Sequence, residues 1–112
     1  MDEKQVGSRT IAPEVLNSIA RLTTLGVTGV SRMAPVKNTY EDIIIKPEYD
    51  GVKVLVKDDF VYLDIFVILN SEENVRIVSK NIQERVTRAV SEMVGMEVAS
   101  VNIHISDIAY ED

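Results

Sequence analysis

Apolar residues recur at spacings of three and four along two segments of the chain, and this periodicity predicts two amphipathic helices. The longer helix is expected from about residue 74 to 94, and Gly95 is expected to end it. Its apolar positions are Val75, Val78, Ile82, Val86, Ala89, Val90 and Met93. The shorter helix is expected from Pro13, a residue suited to a first helical turn, to Leu25. Its apolar positions are Val15, Leu16, Ile19, Ala20 and Leu22.

Alternation of apolar and polar residues predicts strands elsewhere in the chain. Residues 51–57 and 60–69 are expected to form a hairpin, with Asp58 and Asp59 in the turn between them. Three shorter strands are predicted at 6–11, 27–31 and 101–106.

Helices and strands in this order predict an α+β two-layer sandwich. Two helices are expected to pack on one face of a mostly antiparallel sheet of three to five strands. The 112 residues fit one domain with its core over about residues 6–110. Residues 34–50, between Pro35 and Pro47, lack a clear period and are expected to form an irregular insertion.

Charge and cysteine content narrow the classes of partner. The net charge is −6, which argues against nucleic-acid binding and against direct adhesion to anionic membranes. There is no cysteine, so disulfides and thiolate chemistry are absent. The charged amino terminus does not resemble a signal peptide, and the longest apolar-rich run, 60–69, is too short to span a bilayer. We therefore expect a cytoplasmic protein that reaches a membrane only through a partner.

The strand of residues 60–69 has a second face, which includes Tyr62, Asp64 and Phe66. His104, on the last strand, is expected on the same face and could pair with Asp64. Aromatic residues beside charges and amides are typical of a protein interface. Two alternatives remain open: this face contacts a partner, or residues 34–50 fold over Tyr62 and Phe66 and bury them. His104 is the only histidine and is either a pH sensor or a polar surface residue.

Basic residues on the long helix form a second candidate interaction surface. Arg76, Lys80 and Arg88 could meet an acidic partner, or a membrane once the protein is tethered. The alternative is a solvated helix face with weak ion pairs four residues apart, such as Lys80 with Glu84.

The sequence contains no constellation typical of catalysis. One histidine without cysteine is too little for a usual metal site. The paired acids Asp58-Asp59 and Glu72-Glu73 suit a turn and a helix start, respectively. The glycines match neither dinucleotide-binding nor phosphate-loop patterns. We therefore expect no catalytic activity, no cofactor, no metal and no small-molecule substrate.

The order of landmarks resembles the alkaline shock protein family, also called envelope stress response proteins, of bacteria. The landmarks that carry this resemblance are residues 10–15, 26–30, 51–54, 62–67, 82–86, 93–98 and 101–105. The resemblance implies a non-enzymatic cytoplasmic scaffold of the envelope stress response. Such a protein would associate with itself and gather at the inner face of the membrane through a separate anchor protein. The alternative that it implies is a regulatory subunit of a lipid or fatty-acid metabolic enzyme.

Overall fold

The computed structural model describes residues 11–36 and 51–110, which form a sheet covered on one side by two helices. The elements in chain order are α1 (Pro13–Leu25), β1 (Val30–Met33), β2 (Val52–Lys57), β3 (Phe60–Asn70), α2 (Val75–Val94) and β4 (Glu97–Ala109). The predicted α+β two-layer architecture is confirmed. The strand predicted at 6–11 lies outside the described residues except for Ile11, and the 34–50 insertion lies outside them except for 34–36.

Strand β3 is the centre of the sheet. Along one edge it pairs antiparallel with β2 at residues 60–65 and with β1 at residues 67–69. Along the other edge it pairs with β4 in parallel over its whole length. Parallel neighbours need a long crossover connection, and α2 supplies it. Of the three pairs of neighbouring strands among the described residues, β1–β3 and β2–β3 are antiparallel and β3–β4 is parallel. The sheet is thus mostly antiparallel by strand pairs, as the sequence predicted.

The β2–β3 hairpin closes through a turn at Asp58 and Asp59. Their φ angles are 54° and 70°, and Lys57 pairs directly with Phe60. Positive φ at both central residues is the geometry of a type I′ turn, which matches the twist of the flanking strands. The predicted turn role of the two acids is thus confirmed.

Substituting Asp58→Asn together with Asp59→Gly should stabilise the protein by about 1 kcal/mol. Asn and Gly adopt positive φ more readily than Asp, and the change removes two adjacent like charges. Urea unfolding of the variant and the wild type would measure the difference. A midpoint unchanged or lowered in the variant would show that this turn does not limit stability.

The core lies between the sheet and the two helices. Alternate residues of β3 point toward the helices and are fully buried: Val61, Leu63, Ile65, Val67 and Leu69. Helix α2 contributes a buried row at spacings of four residues: Val78, Ile82, Val86, Val90 and Val94. Helix α1 adds Leu16 and Ala20. Burial of this apolar surface is the main force that holds the two layers together.

Local sequence signals account for both ends of α2. The Asn74 side-chain oxygen accepts a hydrogen bond from the Ile77 backbone N–H at 3.1 Å, which satisfies one of the free donors of the first turn. Gly95 adopts a left-handed conformation with φ 71° and its N–H donates to the Ser91 carbonyl at 3.0 Å. The predicted end of the helix at Gly95 is confirmed.

Two predicted strands have different bounds in the structure. The strand expected at 27–31 begins only at Val30, because Val27 still donates to the Thr24 carbonyl in a turn after α1. The strand expected at 101–106 extends over Glu97–Ala109. Its pairing with β3 shifts register twice, beside Val61 and beside Val67. A bulge interrupts strict alternation, so the sequence pattern showed only the middle of this strand.

Candidate functional site

The face of the sheet turned away from the helices, here called the outer face, carries the predicted interaction residues of β3 and β4. Tyr62, Asp64 and Phe66 alternate with the buried core residues of β3. The register places Asp64 beside Asn102 and Phe66 beside His104. The sequence therefore grouped these strand residues correctly on one face.

Asp64 is the centre of a polar cluster on the outer face. His104 Nε2 lies 2.9 Å from Asp64 Oδ1, and Asn102 Nδ2 donates to the same oxygen at 3.3 Å. The His104 ring stacks on Phe66 with 4.3 Å between ring centroids and 12° between planes. The predicted Asp64–His104 pair is confirmed. The contacts fix the orientation of the imidazole against the sheet, at a position that remains open to solvent.

The upper half of the outer face, toward the carboxyl end of β3, is covered along its central strand. Phe66 is only 8% exposed, and it belongs to a small apolar cluster with Ala34 and Ile68. Val36 and Ala109 pack against the same cluster. For Phe66 the alternative of burial holds, and residues 34–36 supply part of the cover.

The lower half of the outer face, at the end of the sheet where β3 begins, is accessible to solvent. Leu55 is 58% exposed and Phe60 is also exposed, although both are large apolar residues. Tyr62, which pairs with Leu55, is half-buried. We call this region the lower outer face and define it by Lys53, Leu55, Lys57, Phe60, Tyr62, Glu97, Ser100 and Asn102. Exposed apolar residues that lie together on a surface often mark a contact site.

The predicted basic residues of α2 lie apart from the outer face. Arg76, Lys80 and Arg88 are exposed on α2, which packs on the other side of the sheet. Arg88 borders a shallow polar depression of about 610 Å³ with Glu84. Within residues 11–36 and 51–110, the ion pair closer than 4.0 Å is His104–Asp64. Lys80 and Glu84 are both exposed, and the expected ion pair between these two described residues is not formed.

The structure has a groove between α1 and the end of α2 that the sequence pattern did not predict. Leu22 is 61% exposed and Met93 is 69% exposed, although the helical periodicity placed both with the core residues. They line an apolar groove of about 380 Å³ together with Val15 and Ile19, and Glu14 also borders it. The signal for it was present in α1, where apolar residues cover more of the helix than one buried face requires.

The described part of the chain gives no sign of a metal site. No group of three or more His, Asp or Glu residues lies together within residues 11–36 and 51–110. Neither α1 nor α2, the helices in those ranges, is long and apolar enough to cross a membrane.

Sequence comparison decides the family. A sequence model of the alkaline shock protein 23 family, which has a cell envelope-related function, matches residues 1–110. The protein belongs to this family. The resemblance to this family is thereby confirmed, and the function described for the family is related to the cell envelope.

Relatives of similar length occur in Streptococcus pyogenes and Bacillus subtilis. Protein Spy1535 of Streptococcus pyogenes is 34% identical over 113 residues, which cover 99% of this chain and 86% of the relative. Protein YqhY of Bacillus subtilis is 24% identical over 115 residues, with 98% and 83% covered. Both are named as uncharacterized proteins, so they extend the family without adding an activity.

Solved structures with the same fold come from another protein, MamM. Its CTD, residues 215–293, matches with a TM-score of 0.54 at 14% identity, covering 86% of this chain and 99% of that one. A manganese form of the MamM CTD matches with a TM-score of 0.53 and the same identity. At this level of identity the likeness shows a shared fold, and the manganese belongs to MamM.

Proposed function

We propose that this protein is a non-catalytic scaffold at the cytoplasmic side of the membrane. It would contribute to envelope homeostasis through self-association and through a membrane-anchoring partner. One observation carries the proposal: the described residues present two separate apolar surfaces, on opposite layers of the sandwich. The lower outer face lies on the sheet, and the groove beside Leu22 and Met93 lies on the helices. A scaffold needs two such surfaces in order to bind its own copies and another protein at once.

The expected mechanism is avidity. Copies held close together at a membrane bind one another at a high effective concentration. Contacts too weak to persist in dilute solution then add up to a stable layer. The proposal thus requires only modest surfaces of the kind found here, and no buried reactive group.

We assign the groove to the anchoring partner on grounds of shape and charge. Its lining is mostly apolar, with Glu14 at the border, and the whole chain carries a net charge of −6. Cytoplasmic segments next to a membrane helix carry an excess of Lys and Arg. An amphipathic segment with apolar anchors and a basic flank would therefore fit this groove better than an acidic one.

The proposal predicts loss of membrane recruitment when the groove is charged. In host cells carrying Leu22→Glu with Met93→Glu, the share of the protein that sediments with membranes should fall at least about fivefold, because acids in an apolar contact are costly. Quantitative immunoblotting of membrane and soluble fractions measures this share.

Ile77→Glu is the matched control. Ile77 is an exposed apolar residue of α2 outside the groove, so this variant should sediment with membranes like the wild type. Urea unfolding of each purified variant would verify that the fold is retained. Equal loss in both variants would reject the groove as the anchoring surface. A wild-type protein found only in the soluble fraction would reject the anchored scaffold.

A further inference from the structure

We propose that two copies of this chain pair face to face through the lower outer face, about a two-fold axis parallel to β3. In this arrangement β2 of each copy lies over β4 of the other. The inference rests on the proposed self-association and specifies its surface and geometry. It follows from the order of charges across the sheet.

Two cross-strand rows of the lower outer face run from a cation on β2 to an acid or amide on β4, and the row between them holds Leu55, Tyr62 and Ser100. In the lowest row Lys57 is beside Phe60, which is beside Glu97. Four residues further along β3, Lys53 is beside Asp64, which is beside Asn102. The cations and the β4 residues of both rows are exposed.

A third row, near the upper end of the sheet, has the same order. Arg32 of β1 is beside Ile68, which is beside Asp107 of β4. Arg32 and Asp107 are exposed, although the centre of this row is covered. In all three rows the cation therefore lies on the edge formed by β1 and β2. In the two rows that have an exposed acid, that acid, Glu97 or Asp107, lies on β4.

This order of charges selects one two-fold arrangement. An axis parallel to the strands exchanges the two sides of the sheet and keeps each row at its level. Lys57 of one copy then faces Glu97 of the other, and the same contact occurs twice because the interface is isologous. An axis perpendicular to the strands would place β2 over β2 and oppose lysine to lysine, which is unfavourable.

Apolar residues at the centre of the surface would supply the attraction. Phe60 and Tyr62 lie on β3, between the charged positions of β2 and β4, and Leu55 lies on β2 between Lys53 and Lys57. Aromatic anchors in the middle of a contact carry most of its strength. Asp64 already binds His104 and Asn102 within its own copy, so it needs no partner across the interface. Asp58 and Asp59 lie beyond the last register pair and are outside the proposed contact.

Charge reversal on one edge at a time tests the geometry. The β2-reversed variant carries Lys53→Glu with Lys57→Glu, and the β4-reversed variant carries Glu97→Lys with Asn102→Lys. All four positions are exposed, and urea unfolding would verify that each variant is folded. Sedimentation equilibrium of the purified chains, alone and in equimolar mixtures, measures the dimer dissociation constant.

We expect each variant alone to dimerise at least about tenfold more weakly than the wild type, because like charges then face each other. An equimolar mixture of the two variants should recover wild-type affinity, since both edges are again opposed by opposite charges. A mixture of the β2-reversed variant with the wild type should not recover it. The control Asp58→Asn should leave the affinity unchanged.

Three outcomes overturn the inference, and they are distinguishable. Recovery in the mixture of the β2-reversed variant with the wild type would indicate the perpendicular axis. Unchanged dimerisation of both variants would place self-association on another surface and leave the proposed scaffold intact. A wild-type chain that remains monomeric at every concentration would reject the pairing and the self-association together, while membrane recruitment through the groove would remain a separate result.

Discussion

Gly51→Ala should destabilise the protein by about 2–4 kcal/mol, which combines backbone strain and a clash. Gly51 has φ +89°, and a Cβ there would lie 2.7 Å from Met33 Cβ and 2.6 Å from Met33 Cε. Met33 Cβ is fixed to the β1 backbone, so it cannot rotate away. The Gly51 carbonyl also accepts a hydrogen bond from the Phe66 N–H at 2.7 Å, so strain at this residue would disturb the junction of β1, β2 and β3.

Gly26→Ala is the matched control for this prediction. Gly26 has φ −84° at the end of α1, and the nearest atom to an added Cβ is the Thr23 carbonyl oxygen at 3.5 Å. Stability should stay unchanged or rise by up to about 1 kcal/mol, because alanine reduces the freedom of the unfolded chain. Urea unfolding of both variants makes the comparison, and equal effects at the two sites would show that the backbone at Gly51 is not strained.

Phe66→Ala should lower the free energy of unfolding by about 3–5 kcal/mol, which is typical of a buried aromatic residue. The substitution leaves a cavity beside Ala34 and Ile68 and removes the ring on which His104 stacks. Calorimetry or urea unfolding measures the loss. A loss below about 1 kcal/mol would mean that the cover over the upper outer face does not contribute to folding.

Tyr62→Ala is the companion variant, and its cost should be clearly smaller because Tyr62 is only half-buried. A joint Tyr62 and Phe66 variant would therefore weaken the fold as well as any contact. Interface tests on this face are cleaner with exposed residues such as Lys57 and Leu55.

The sequence predicted the two layers well because local signals and burial agree there. The α2 row at Val78, Ile82, Val86 and Val90 is strictly periodic, and both Asn74 and Gly95 adopt the backbone geometry expected of helix ends. The β2–β3 hairpin was equally clear. On the outer face, alternation along β3 and β4 sufficed to group Tyr62, Asp64, Phe66 and His104.

The features that the sequence did not show depend on tertiary geometry. Burial of Phe66 depends on where residues 34–36 lie, and they have no regular structure of their own. The exposure of Leu22 and Met93 depends on how α1 and α2 meet, and a helix pattern alone does not distinguish a buried apolar residue from one that lines a groove. The rows of charge from β2 to β4 required the strand register, including both shifts in β4.

Capture of the tagged protein from cross-linked native-host cells would test the anchored scaffold most directly. Membrane and soluble fractions would be compared, and the bound proteins and the number of copies per complex measured by quantitative mass spectrometry. We predict recovery of a membrane protein together with several copies of this chain, with the membrane protein lost in the variant carrying Leu22→Glu and Met93→Glu. Recovery of a soluble lipid or fatty-acid biosynthetic enzyme at one-to-one stoichiometry, with little self-association, would contradict the scaffold and favour a regulatory subunit.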